Sequence, residues 1–207
     1  MTERVVHIID DDDAVRQSLA FLLGSAGLTV RLYDSASAFL AGLSTVRNGC
    51  LVTDVRMPDM TGIELLRQLR AKACKLPAIV ITGHGDVALA VEAMKAGAVD
   101  FIEKPFDETA ILSAVQSVLE RESNAEGDNA AVVAGKLGTL SERERQVLEG
   151  VVAGHSNKTI AHDLTISPRT VEVYRANLMT KMGARNLSEL IRMAIIGELS
   201  LPRRDTK

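Results

Sequence analysis

Cysteine is scarce in this chain. Cys50 and Cys74 are the only two among 207 residues, and neither belongs to a CxxC pair. That argues against a disulfide-stapled scaffold and against a zinc-ribbon arrangement. Long hydrophobic runs are absent as well: no apolar stretch approaches the ~18 residues that a membrane-spanning helix requires. At the N-terminus Val5, Val6, Ile8 and Ile9 give way at once to four aspartates, Asp10 to Asp13, so a secretory leader is not expected. What is present is ordinary for a globular chain. A content of 46% hydrophobic and 25% charged residues excludes dominant disorder and a coiled-coil rod. A cytoplasmic protein with free thiols is the expectation.

The net charge of −3 conceals an asymmetry. Residues 1–122 hold 12 Lys and Arg against 17 Asp and Glu, residues 123–138 hold 1 against 2, and residues 139–207 hold 11 against 8. An acidic first part and a basic last part point to different partners, with a polyanion suited to the second.

The first 122 residues alternate two patterns. Short apolar runs at Val5–Ile9, Thr29–Tyr33, Cys50–Thr53, Ala78–Ile81 and Val99–Ile102 read as strands. Between and after them, stretches such as Val15, Leu19, Leu22, Leu23 and Ala26, or Ile111, Leu112, Val115, Val118 and Leu119, carry helical spacing. Five strand–helix repeats predict an α/β fold, a doubly wound (βα)5 parallel sheet of the flavodoxin type with helices on both faces. Residues 123–138, rich in Ser, Asn, Ala, Gly and Asp, read as a linker, although their Ala-rich flanks leave a helical extension open. From 139 onward the pattern is all helix, predicting four helices. Ser141 with Glu144 makes a capping box, and Thr165-Ile166-Ser167 is a three-residue turn. Ser167 caps a helix whose first residue is Pro168 and whose stop is Gly183. Two helices across such a turn match a helix-turn-helix.

In a parallel sheet the polar site lies at the carboxyl ends of the strands. The residues there are Asp10 and Asp11, Asp54, Thr82, and Lys104-Pro105. Two carboxylates ~4 Å apart repel by about 4 kcal/mol at an effective dielectric near 20, so the cluster calls for a proton or a cation. Hard oxygen donors favour Mg2+, and a hydroxyl and an ammonium beside it suit the oxygens of a phosphoryl group. Asp12 and Asp13 read more simply as caps of the first helix.

In the second part, the helix from Pro168 to Met182 turns Val171, Tyr174, Leu178 and Met182 inward and Arg169, Glu172, Val173, Ala176 and Thr180 outward. The second helix of such a motif enters the major groove of DNA. There Val173 suits a thymine methyl and Glu172 a cytosine amine. Asn157, Lys158, Thr159, Arg169, Thr170, Arg175, Asn177 and Lys181 are candidates for phosphate contacts.

Together these residues resemble a known family. Asp10-Asp11, the stretch Asp54-Val55-Arg56-Met57-Pro58-Asp59, Thr82-Gly83 and Lys104-Pro105-Phe106 resemble the receiver domain of two-component response regulators. Leu140 to Glu144 and Ile166 to Val173 resemble the LuxR-type helix-turn-helix output domain. The detailed match favours the members that control nitrogen fixation or microaerobic genes in response to oxygen. The resemblance implies that Asp54 accepts a phosphoryl group from a sensor histidine kinase. Asp11, Asp54 and the Arg56 carbonyl would bind Mg2+ directly, and Asp10 through water. Thr82 and Lys104 would contact the phosphoryl group, Phe101 would be a rotamer switch, and Pro105 would follow a cis bond. The implied protein is a transcription activator that binds promoter DNA, works with RNA polymerase and is not a turnover enzyme. Val87, Val91, Lys95 and Asp100 form a mixed face beside the switch, on which a phosphorylation-driven homodimer is expected.

Two other readings exist. Asp10-x-Asp12 after a strand is also similar to aspartate-nucleophile, Mg2+-dependent phosphatases of the haloacid dehalogenase type. There, however, Thr or Val stands where this chain has Ala14, and no helix-turn-helix is attached. Alternatively, the C-terminal helices bind protein rather than DNA, or the regulon is a different one.

Overall fold

The computed structural model describes residues 5–46, 48–83, 87–121 and 130–200, without the side chains of 121, 130 and 198–200. Residues 123–129, the first part of the expected linker, lie outside them, as does Glu122.

Five parallel strands stand in the order β2-β1-β3-β4-β5: β1 Val5–Ile9, β2 Thr29–Tyr33, β3 Gly49–Asp54, β4 Ala78–Thr82 and β5 Ala98–Glu103. This is the expected sheet. The central strand β3 is buried throughout and β2, at an edge, is largely exposed. Helix α1 (Asp13–Ser25) and helix α5 (Glu108–Arg121) cover one face. Their Leu19, Leu23, Ile111, Val115 and Leu119 pack on Val6, Ile8, Cys50, Val52, Ile79 and Ile81. Each such fully buried aliphatic side chain stabilises the fold by roughly 1.5–3 kcal/mol. On the other face alternate residues His7, Ile9, Leu51 and Thr53 are buried. His7 meets Phe39 of helix α2 (Ala36–Ala41) edge-on at 5.6 Å, and its Nδ1 lies 3.2 Å from the Tyr33 hydroxyl. His7 is thus a satisfied core residue. Helix α3 (Gly62–Ala71) follows β3 and starts on a capping box of Thr61 and Glu64.

Helix α4 (Val87–Ala96) departs from the expected partition. By contact density one compact unit comprises 1–85 and 96–124, and the other comprises 86–95 and 125–207. The helix sequence is VALAVEAMKA; Ala90, Val91, Ala93, Met94 and Ala96 are buried, and Ala88, Glu92 and Lys95 are exposed.

The second unit begins with a helix inside the stretch read as linker. Residues Ala130–Gly138 form helix α6, with Val133 and Leu137 buried. Helices α7 (Glu142–Val152), α8 (Asn157–Leu164), α9 (Pro168–Met182) and α10 (Leu187–Ser200) follow. The expected caps are all in place. Ser141 and Glu144 exchange both bonds of the capping box, Ser167 accepts from the Thr170 amide, and Gly183 ends α9 in the left-handed region at φ 67°. Thr165 closes α8 at φ 56°, which makes the turn tight. Gly197 of α10 is the notch into which α6 fits: a Cβ there would collide with the Leu137 side chain.

Candidate functional site

Because all five strands run the same way, β1, β3, β4 and β5 deliver their last residues to one edge of the sheet. Asp10 follows β1, Asp54 and Thr82 end β3 and β4, and Lys104 follows β5. Asp10 and Thr82 are 2% and 1% exposed, and Asp54 is 8% exposed. The Lys104 ammonium donates to Asp10 Oδ2 at 2.8 Å and to Asp54 Oδ1 at 2.7 Å. Burial pulls the lysine pKa down, but the bonds to the two carboxylates outweigh it and hold Lys104 above its ordinary value. The remaining oxygens are also engaged: Asp54 Oδ2 accepts from the Arg56 amide at 2.6 Å, and Asp10 Oδ1 from the Asp12 amide at 2.9 Å. The Lys104 amide donates to the Thr82 carbonyl at 2.7 Å, which ties the lysine's backbone to the end of β4. The Lys104–Pro105 bond is cis, as expected. Asp11 and Arg56 are exposed, and Phe101 is half-buried with its amide on Asp100 Oδ1 at 2.8 Å.

Among the described residues no three His, Cys, Asp or Glu side chains converge as a ready-made cation site. The donor chemistry nevertheless fits Mg2+, which binds through one or two carboxylates and keeps several waters. Asp54 and the exposed Asp11 can supply them. A phosphoryl group at Asp54 would meet an ammonium already within hydrogen-bond distance.

Two residues of this site lie outside the expected set. Arg16 of α1 reaches back, donating from Nη1 to the Asp10 carbonyl and from Nη2 to Asp13 Oδ1, both at 2.6 Å. Gly62 lies so close to the Asp54 carbonyl that a Cβ would collide with it. The capping box at Thr61 was a signal for the second. Asp12 caps α1 through the Ala14 and Val15 amides, the bland role expected of it.

The DNA-facing candidates divide. Arg169, Glu172, Val173, Ala176 and Asn177 are exposed on α9, Val173 by 56%. Lys158 and Thr159 are exposed on α8, and Thr170 is half-buried beside Ser167. Three candidates are committed elsewhere. Lys181 donates to Glu144 Oε2 at 2.7 Å, and Glu144 is buried and held down to about pKa 2 by that bond and by Ser141. Arg175 donates to Asn157 Oδ1 at 2.7 Å, so these two satisfy each other. The burial of Arg175 lowers its pKa against the pull of Glu172. The expected dimer face is also altered. Val91 is 3% exposed, Val87 and Asp100 are half-buried, and only Lys95 of the four is exposed.

Two family models match the chain: the response regulator receiver domain over residues 6–116, and bacterial regulatory proteins of the luxR family over 138–194. A transcriptional regulatory protein FixJ from Rhizobium meliloti is 59% identical, covering 95% of this chain and 98% of that protein. A C4-dicarboxylate transport transcriptional regulatory protein, DctR, from Rhodobacter capsulatus is 43% identical over 91% of this chain and 98% of its own. The crystal structure of full-length FixJ from B. japonicum superposes with a TM-score of 0.58 at 51% identity, covering 96% and 99% of the two chains.

Proposed function

Because the chain belongs to the FixJ-like response regulators, which join a receiver domain to a LuxR-type DNA-binding domain, we propose that it is a transcription activator switched by phosphorylation of Asp54. The observation that carries this reading is the shared ammonium: Lys104 within 2.8 Å of Asp10 and 2.7 Å of Asp54. An Asp54 carboxylate oxygen attacks the phosphorus of a phosphohistidine on a sensor kinase. The new bond is O–P, the broken one is P–N, and the imidazole leaves with its electron pair and takes a proton. Lys104 then stands where the phosphoryl oxygens gather charge, and Thr82 ends the adjacent strand. Mg2+, held by Asp11, Asp54 and the Arg56 carbonyl, would supply further charge neutralisation when bound. Phe101 would respond to Thr82. The protein takes part in its own phosphorylation and does not turn over a substrate.

The output half would place α9 in the major groove, with Arg169, Glu172, Val173 and Ala176 toward base edges and Lys158, Thr159 and Asn177 toward phosphates. Its working partners would be promoter DNA, RNA polymerase and a second copy of the chain. Dimerisation through the Lys95 face would require Val91 to be uncovered first. We place the receiver at 1–122 and extend the DNA-binding domain back from 139 to Ala130. Among the described residues no helix is long and apolar enough to cross a membrane, and a cytoplasmic site of action fits.

The test is treatment with a small phosphodonor and Mg2+. Wild type should gain the mass of one phosphoryl group, bind DNA as a dimer and lose the label slowly by hydrolysis, whereas Asp54→Asn should gain nothing. Labelling of Asp54→Asn at the wild-type rate would overturn the assignment. For the regulon, the resemblance to regulators of nitrogen fixation supports oxygen-responsive control, and the relative named for dicarboxylate transport supports a different one. Promoter occupancy in cells shifted to low oxygen separates the two.

A further inference from the structure

Helix α6 stands outside the residues matched by the luxR-family model, which begin at 138. It is nevertheless built into the DNA-binding unit. Val133 and Leu137 are buried, and Gly197 of α10 leaves room for Leu137. Its one charged residue, Lys136, donates from Nζ to the Met182 carbonyl at 2.8 Å. Met182 is the last residue of α9, where carbonyls have no partner within the helix. The turn beyond it satisfies other carbonyls: the Gly183 amide bonds Thr180 and the Ala184 amide bonds Met179. The Met182 carbonyl is left for Lys136, whose positive charge also suits the negative end of the helix dipole. The ammonium fits closely, since a Cβ on Gly183 would lie 3.3 Å from Nζ. The Arg145 guanidinium of α7 donates to the Leu137 carbonyl at 3.0 Å, so the end of α6 is itself tied down.

We propose that Lys136 is a positioning residue for DNA recognition: from a helix outside the family's four, it holds the C-terminal end of α9 and thereby sets the angle at which Arg169, Glu172, Val173 and Ala176 meet the bases. The inference rests on α9 being the helix that reads the groove. Among the described residues helix α9 has two other polar ties to neighbouring helices, Arg175 to Asn157 of α8 and Lys181 to Glu144 of α7. Lys136 adds the third at its far end. With the tie lost, α9 keeps its buried residues Val171, Leu178 and Met182 but gains freedom to pivot. Base contacts need fixed geometry and phosphate contacts tolerate movement, so the loss falls on specific binding.

The experiment uses the full-length chain and two duplexes, one selected by the wild-type protein from a random-sequence pool and one of random sequence. Lys136→Met keeps the length of the side chain and removes the donor. It should weaken binding to the selected duplex by about tenfold, the cost of roughly one mismatched base pair, and leave the random duplex within about twofold. Lys136→Arg should restore the selected binding. Equal losses on both duplexes, no loss on either, or a loss tracking a lowered unfolding midpoint that Lys136→Arg fails to reverse would overturn the proposal. Val173→Ala separates the underlying reading. If it leaves the selected duplex unaffected, α9 is not the reading helix. If it weakens that duplex while Lys136→Met does not, α9 reads DNA and Lys136 does not position it.

Discussion

Two lysines in this molecule each donate to a carboxylate at 2.7 Å, Lys104 to Asp54 in the first unit and Lys181 to Glu144 in the second. The geometry is the same and the consequence is opposite. Lys104 bridges two carboxylates at the mouth of the proposed phosphorylation site, where a phosphoryl group would change its partners. Lys181 closes a capping box whose carboxylate is already satisfied by Ser141, and nothing there is left to exchange. A charged pair is part of a switch when a third group can enter it, and part of the scaffold when it cannot.

The largest expected difference between the two regions lies in acid. His7 is buried, and burial, then Arg31, lowers its pKa from 6.5 to about 4. Above pH 6.5 it is neutral folded and unfolded. Below that the unfolded chain takes a proton that the folded chain refuses, so stability falls until about pH 4, by up to roughly 3 kcal/mol. Glu144 behaves differently. Its folded pKa is depressed from 4.5 to about 2, so its contribution is intact above 4.5 and is lost only as pH falls toward 2. The receiver unit should therefore weaken first. The chain has no tryptophan and two tyrosines, and Tyr33 and Tyr174 fall one in each unit. Urea unfolding followed on single-tyrosine backgrounds reads each unit separately. His7→Leu should flatten the Tyr33 midpoint between pH 7 and 5 and leave that of Tyr174 unchanged.

Next in size is Lys104→Met. It strands two largely buried carboxylates facing each other and should cost the receiver about 2 kcal/mol in the absence of divalent ions, less than a fully buried pair because the lysine is partly exposed. Added Mg2+ should raise its unfolding midpoint more than it raises that of wild type. An equal response would make Lys104 as much a scaffold group as Lys181. Asp54 labelling should persist in this variant while its link to DNA binding is lost.

Ser141→Ala removes the side-chain cap of α7 and the hydroxyl bond to Glu144, leaving the backbone amide of residue 141 and Lys181 on that carboxylate. It should lower the stability of the second unit by about 1 kcal/mol, seen at Tyr174 and not at Tyr33. The smallest effect is the sharpest. Lys158→Met should reduce the slope of log affinity against log salt by about 1, as a phosphate contact does, and Lys181→Met should leave it unchanged. A reduced slope for Lys181→Met would mean that its ammonium leaves Glu144 for DNA.

The pocket was legible because the strand pattern fixes which residues share the carboxyl edge, and Asp10, Asp54, Thr82 and Lys104 each stand at a strand end or directly after one. The helix caps were legible because Ser141, Ser167 and Gly183 act within a few residues of themselves. Pairings across long separations were not. Lys181 meets Glu144 37 residues away, and the same exposed lysine in a sequence reads as a phosphate contact. Arg16 reaches the site through a backbone carbonyl, that of Asp10, which has no sequence signature. Helix α6 reads as linker because Ala, Val and Gly give it little amphipathic contrast, and what makes it a helix of the domain is its seat against Gly197. Val91 is expected on the same face as Lys95, but it is 3% exposed, and the residues of α4 that reach the surface are Ala88, Glu92 and Lys95.

The notch at Gly197 bears on how such proteins can be recombined. A chimera that grafts this output domain onto a foreign sensor module at Thr139, the border suggested by composition, discards Val133, Lys136 and Leu137 together. It leaves Gly197 facing solvent, an apolar groove on α10 and an uncapped end on α9. A junction placed before Ala130 carries the whole fitting across. The exchangeable part therefore begins nine residues ahead of the border that composition suggests, and a library of domain fusions should show its step in soluble, DNA-binding product at that position.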